Sequence, residues 1–181
     1  MTIMTLWLPI LVATIVTFIA GALIWMALPW HKTDFSKAAN EESVRAALKD
    51  LTPGQYVLPY AKDMQEMASP ELTEKYRQGP VGFITIVPSG DQPMGGKLLL
   101  NFGYNLLVAI IAAYFVSRTL TADADYLSVF RIAGTVGFIA YGMAYFQESI
   151  WFGRPWSTTV KGLVDALIYG VLLGGVFGWL V

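Results

Sequence analysis

The chain has 181 residues, of which 55% are hydrophobic and only 14% charged, with a formal net charge of −1. A soluble domain carries about 25% charge, so the composition excludes an ordinary soluble protein. A near-neutral charge also lacks the basic footprint of a nucleic-acid partner. The absence of cysteine excludes disulfides, thiolate metal sites and thiol nucleophiles.

The charge deficit is local. Residues 3–28, 98–117, 132–147 and 166–181 contain no charged side chain. About 20 apolar residues are needed for a helix to cross a hydrocarbon core of ~30 Å. In lipid such a segment must be helical, because an open strand leaves its backbone groups unpaired. The pattern predicts an all-α membrane fold, a four-transmembrane-helix bundle with a small α+β extramembrane domain inserted between helices 1 and 2. The boundaries are helix 1 within 1–28, a loop domain at 29–97, helix 2 at 98–117 and a short loop at 118–127. Helix 3 then spans 128–151, a second short loop 152–159, and helix 4 160–181.

Residues 1–28 lack a basic n-region and an A-x-A site, and their apolar run is too long for a signal peptide. They are read as a retained helix. The run ends in "ALPWHKTDF" (27–35), which holds the only histidine, His31. His31 is either an interface anchor beside Trp30 or a member of a polar cluster. One histidine without cysteine is a poor zinc donor set, so no metal site and no cofactor are expected.

The loop domain opens with "NEESVRAALKDL", where Asn40 stands as a helix N-cap before acidic residues. "TPG" breaks that helix, and "QYVLPY" (55–60) reads as a strand confined to an edge by Pro59. "SPEL" starts a second helix, with Ser69 as cap and Pro70 at the first helical position. "VGFITIVP" (81–88) is the best strand in the chain. So small a domain buries little apolar surface and is expected to lean on the membrane face or on the helical bundle. "SGDQPMGGKLL" then imitates a phosphate-binding loop, but Asp91 and Leu98 stand where the motif needs glycine and serine or threonine.

A faint repeat links the two long exits. "IWMALPW" (24–30) and "IWFGRPW" (150–156) share I-W-x-x-x-P-W, and "KLLLN" (97–101) and "KGLVD" (161–165) share K-x-x-x-[ND]. Duplication of a helix–exit–helix unit would produce this; so would the general enrichment of Trp and Lys at interfaces. Trp25, Trp30, Trp151 and Trp156 are the expected interface anchors.

Helix 4 carries Gly162, Ala166, Gly170, Gly174 and Gly178, a small residue every four. Such a stripe permits close backbone approach in lipid. It serves either packing within the bundle or a homodimer seam. Helix 1 offers Ala13, Thr17 and Gly21, and helix 3 offers Gly134, Gly137 and Gly142.

Polar residues collect at one end of the spans: His31, Asp34, Lys97, Asn101, Glu148, Arg154, Lys161 and Asp165. Ionisable side chains at membrane depth are costly and face a partner or water. Lys161 and Asp165 are i,i+4 and can pair along one helix; Glu148 can reach toward Arg154 or Lys161. The cluster is either a binding cavity or a set of ion pairs that pin helix ends. Arg131, inside helix 3 from the other end, either snorkels outward or pairs with Asp123 or Asp125.

The layout, through "FIAGALIW…PWHKTDF" and "FGRPW", resembles small four-helix bacterial inner-membrane proteins, a group that brings no established activity. It implies a multi-pass protein of the cell inner membrane. Lys and Arg favour loops 29–97 and 152–159 on the cytoplasmic side and both termini outside. The function expected is a non-enzymatic accessory, scaffold or interaction protein. The alternatives are a small-solute or ion transporter using the polar cluster, and a membrane enzyme using His31 with Asp34 or Asp165. The expected partners are the lipid bilayer and another membrane protein or a second copy of the chain.

Overall fold

A computed structural model describes every residue from Met1 to Val181. Four helices are long and apolar enough to cross a membrane, as in a multi-pass membrane protein: Ile3–Ala27, Met94–Thr119, Tyr126–Phe152 and Trp156–Leu180. The first is built from a 3-10 turn (Ile3–Leu6), helix α1 (Trp7–Ala22) and a π turn (Leu23–Ala27). After it come α2 (Glu41–Leu48), strand β1 (Gly54–Leu58), α3 (Met64–Met67), α4 (Pro70–Gln78) and strand β2 (Gly82–Ile86). The second span is α5 (Met94–Thr119), the third is α6 (Tyr126–Gly142) followed by α7 (Ala144–Phe152), and the fourth is α8 (Trp156–Leu180).

Helices 2 and 4 start earlier than their charge-free runs. Each follows a proline, Pro93 or Pro155, at the cap position. Proline lacks an N–H and has its φ preset, which suits a helix entry. Lys97, expected just before helix 2, therefore lies inside it, and Lys161 lies more than a turn into helix 4 rather than at its start.

The chain divides into two compact units. The first holds Met1–Phe35, Pro93–Ser149 and Arg154–Val181, and so all four spans. In it α1 packs on α5 and α8, α5 on α6, and α6 on α8. Its side chains sort opposite to those of a soluble helix. Trp7, Leu8, Leu11, Ile15 and Ile19 of α1 face outward, whereas Ala13, Thr14 and Thr17 are buried. A bundle with large apolar groups outside and small ones inside is suited to hydrocarbon, where close packing rather than water exclusion joins helices. The Thr14 and Thr17 hydroxyls donate to the carbonyls of Ile10 and Ala13 at 2.7 and 2.8 Å, so neither is orphaned.

The α6–α8 seam is made of glycine. A Cβ added at Gly174 would lie 2.7 Å from the Phe130 carbonyl oxygen, and one at Gly170 would lie 2.8 Å from that of Gly134. Gly162 is covered by the Tyr145 ring, Gly178 by Tyr126, and Ala166 by Gly142. Within the chain, α6 and the Tyr145 ring of α7 pack along the stripe.

The dry core includes Leu6, Ile10, Val108, Val116, Val129, Leu173 and Phe177. These residues come from the starts of the first span and of α6, from the second half of α5 and from the end of α8. The other half of the bundle is less completely filled, and that is where the candidate site lies.

The second unit comprises Ser36–Gln92 with Ile150–Gly153. Its two strands pair antiparallel, with Gly54 opposite Ile86 and Leu58 opposite Gly82. The second lies within the segment read as a strand from sequence, and the first overlaps its segment but starts one residue earlier and ends two residues sooner. Ser69 caps α4 as expected, accepting from the Leu72 N–H at 3.2 Å. Asn40 does not cap α2: it precedes the helix, but its side chain accepts no bond there. The short helix α3 was not expected; Asp63 caps it through the Glu66 N–H at 2.8 Å. Leu72 is the one buried side chain in this unit.

Candidate functional site

The site begins with the way the first span ends. Leu28 is extended (φ −86°, ψ 148°), as a residue before proline prefers. The Leu28 N–H reaches back to the Leu23 carbonyl at 3.0 Å, closing a π turn. Pro29–His31 then form a 3-10 turn. The Asp34 N–H donates to the His31 carbonyl at 3.1 Å, which tightens the bend further. This bend places Trp30, His31 and Asp34 against α8.

There they form a closed network. His31 Nδ1 lies 2.6 Å from Asp34 Oδ2, and its Nε2 lies 2.8 Å from Asp165 Oδ2. Trp30 Nε1 donates to Asp165 Oδ1 at 3.1 Å. Lys161 Nζ donates to Asp34 Oδ1 at 2.6 Å and to Thr33 Oγ1 at 2.8 Å. Trp25 stacks on the imidazole, with ring centroids 3.7 Å apart and planes 4° from parallel. His31 is 7% exposed, and the side chains of Asp34 and Asp165 are 2% and 3% exposed. Burial pushes the Asp34 carboxyl up, but the hydrogen bonds from Lys161 and His31 outweigh it and hold Asp34 below the ordinary value of 3.8.

Beside this network lies a cavity of about 750 Å³ with walls from all four spans. Trp25 and Gly21 line it from the first span, Lys97, Asn101, Tyr104 and Asn105 from α5, Tyr141, Tyr145 and Glu148 from the third, and Tyr169 from α8. The polar groups at its base are tied together. The Tyr141 hydroxyl donates to Asn105 Oδ1, Asn105 Nδ2 to the Asn101 carbonyl, and the Tyr104 hydroxyl to the Ala140 carbonyl, each at 2.7 Å. Near the mouth, Arg154 lies over the Tyr145 ring, 4.7 Å from its centroid. Neither Lys97 nor Glu148 has an ion-pair partner.

The eight polar residues singled out in the sequence therefore fall into two groups. His31, Asp34, Lys161 and Asp165 form the network; Lys97, Asn101, Glu148 and Arg154 line the cavity. The two pairings considered from sequence are absent. Lys161 goes to Asp34 rather than Asp165, and the Glu148 carboxylate pairs with neither Arg154 nor Lys161; only the Glu148 carbonyl meets Arg154, accepting from its N–H at 3.2 Å. Arg131 pairs with neither Asp123 nor Asp125; Asp125 instead caps α6 through the N–H groups of Leu127 and Ser128. Trp30 bonds to Asp165 and Trp25 stacks on His31, yet all four tryptophans, with Trp151 and Trp156, keep exposed surface.

The two repeated exits also differ in backbone. The first uses an extended Leu28, whereas the second uses Gly153 at φ +68°. The tyrosines of the cavity were missed. The signal available was the spacing of Asn101, Tyr104 and Asn105 on α5 against Tyr141 and Tyr145 on the third span.

No protein-family model, curated protein or solved structure matches this chain.

Proposed function

We propose that this is a non-enzymatic integral membrane protein that binds a small polar or amphiphilic molecule in the cavity between its spans, as a transporter or solute-binding subunit does. The cavity carries the reading. It offers aromatic walls, and at its mouth the unpaired Lys97 and Glu148. Binding sites of this kind are mostly apolar with a few placed polar groups. An enzyme built on His31 has less support, since both ring nitrogens already face carboxylates. The test is native mass spectrometry of the full chain released from nanodiscs, with a melting-temperature screen of small amphiphilic anions and cations. A retained molecule or a stabilising compound is expected. Lys97→Met and Asn101→Leu, whose side chains hold no other group in place, should weaken it without lowering the ligand-free melting temperature. An empty protein that no compound stabilises would sink the reading.

The accessory or scaffold reading stands second. Its support is the second unit, where only Leu72 is buried while Tyr60, Met64 and Val81 lie exposed. A partner protein or the bilayer surface would cover such groups. Recovery of a stoichiometric protein partner in place of a small molecule would favour it.

The orientation belongs to the same proposal: an extramembrane domain at 29–97 and the loop 152–159 on the cytoplasmic side of a bacterial inner membrane, both termini outside. The basic residues Lys32, Lys37, Lys97, Arg154 and Lys161 support it. The chain has no native cysteine, so single cysteines give a clean background. Cysteines introduced at positions 40 and 157 should label from one side, and those at 2 and 122 from the other. Labelling of 40 and 157 from opposite sides refutes the four-span arrangement.

A further inference from the structure

We propose that His31, Asp34 and Asp165 form a proton-binding site, and that its occupancy is coupled to occupancy of the central cavity through Trp25. The coupling rests on the ligand-cavity reading above; the proton site does not.

The argument starts with counting hydrogens. A neutral imidazole has one N–H and one lone pair. Here both ring nitrogens face carboxylate oxygens, at 2.6 and 2.8 Å. With one ring proton and two ionised carboxylates, a lone pair would point at an anionic oxygen across a hydrogen-bond distance. The geometry calls for one more proton; placed on the ring, it gives an imidazolium with a donor at each end. The charge count agrees: two carboxylates are balanced by Lys161 and one imidazolium. The charged groups that face the ring are Asp34 from its own bend and Asp165 from α8, with Lys161 of α8 bonded to Asp34. Tyr145 and Tyr169 are the remaining titratable side chains near Asp165. Every buried side-chain polar atom has a hydrogen-bond partner.

Loss of the proton then has a mechanical consequence. As pH rises and the proton leaves, the ring must release one carboxylate. It sits in a short 3-10 turn directly after a π turn, a backbone with few regular hydrogen bonds to resist movement. Trp25 belongs to that π turn, is stacked on the ring, and is also a wall of the cavity. On the far side, Trp30, Lys161 and Asp165 line a second hollow of about 550 Å³. The network therefore meets the second hollow directly and the central cavity through Trp25. A ring that shifts takes its stacking partner with it, and by thermodynamic reciprocity a molecule pressing on Trp25 must alter proton affinity.

The proton is read directly by NMR of the full chain carrying nitrogen-15 histidine, where a single ring reports. Both ring nitrogens should show the protonated form at neutral pH, and Asp165→Asn should leave one N–H, directed at Asp34. A neutral ring in the wild type at neutral pH overturns the proton site. The coupling is read from an Ala22→Cys variant. Residue 22 lies one turn before Trp25 and lines the cavity, and a helical side chain covers the turn N-terminal to it. Its reaction rate with a small methanethiosulfonate reagent is compared across pH with that of an external Ser157→Cys variant, which cancels thiol ionisation. The ratio should change about fivefold or more as the imidazole loses its proton, and should be flat in the His31→Gln background. A flat ratio in the wild type overturns the coupling. If Ala22→Cys never reacts, the cavity reading fails and the coupling with it, while the ring signals still decide the proton site.

Discussion

Gly174→Ala lowers the stability of the solubilised protein by about 1–3 kcal/mol, the usual cost of overpacking, and Gly174→Leu prevents the fourth span from docking. The added Cβ would lie 2.7 Å from the Phe130 carbonyl oxygen and 3.1 Å from Gly134 Cα. Those are backbone atoms, so no side-chain rotation relieves the clash and the two helices must part. The neighbouring position supplies the control. At Gly175 the nearest atom to a new Cβ is the Tyr126 hydroxyl, 3.9 Å away. Gly175→Ala should be neutral or slightly stabilising, because alanine is the better helix former by about 1 kcal/mol. Thermal unfolding in one detergent compares the two. Equal melting temperatures would mean that the α6–α8 seam is not close-packed.

The spans and the glycine stripe could be read from sequence because each is a repeating, one-dimensional property. Charge-free runs give the helices whatever their neighbours are, and a small residue every four marks one helix face. The strands at Gly54–Leu58 and Gly82–Ile86 announced themselves by composition and bounding turns. The division of the polar cluster was not legible, because depth along a span does not fix the direction a residue faces. Lys161 and Asp165 share a face at i,i+4, and local geometry alone would pair them. The bend at Pro29 supplies each with a partner from more than a hundred residues away: Asp34 for Lys161, His31 and Trp30 for Asp165. Nothing in "ALPWHKTDF" indicates that the chain turns back onto α8, since the same letters would suit an exit into solvent. Asn40 failed as a cap for a comparable reason. Its residue type permits the bond, but its backbone (φ −116°, ψ 57°) lies away from the extended region a cap prefers.

Asp165→Leu should cost about 3–5 kcal/mol, the penalty for breaking a buried ion pair by removing one partner. Leucine leaves the Trp30 indole N–H and His31 Nε2 without their acceptor, and it leaves the cluster one negative charge short among side chains that are nearly inaccessible. Adding His31→Leu to Asp165→Leu should recover part of that loss, because the group left unpaired is then removed as well. The pH dependence follows from Asp34. Its carboxyl is held below 3.8 in the fold, so ionised Asp34 stabilises the protein above the ordinary carboxyl range. That stability is lost as pH falls below 3.8 and through the lowered folded value. The Asp34→Asn variant should therefore be less stable at neutral pH and lose less on acidification, so that the two stability curves converge at low pH. Melting temperatures of wild type, Asp34→Asn, Asp165→Leu and the double variant, taken from neutral to acid pH, separate two physical pictures. If these were exposed ion pairs that only pin helix ends, each substitution would stay within about 0.5 kcal/mol, the single effects would add, and the acid limbs would run parallel. A large single loss, partial rescue by the second substitution and a flattened Asp34→Asn limb require the bend after the first span to be locked onto α8 by one interdependent network.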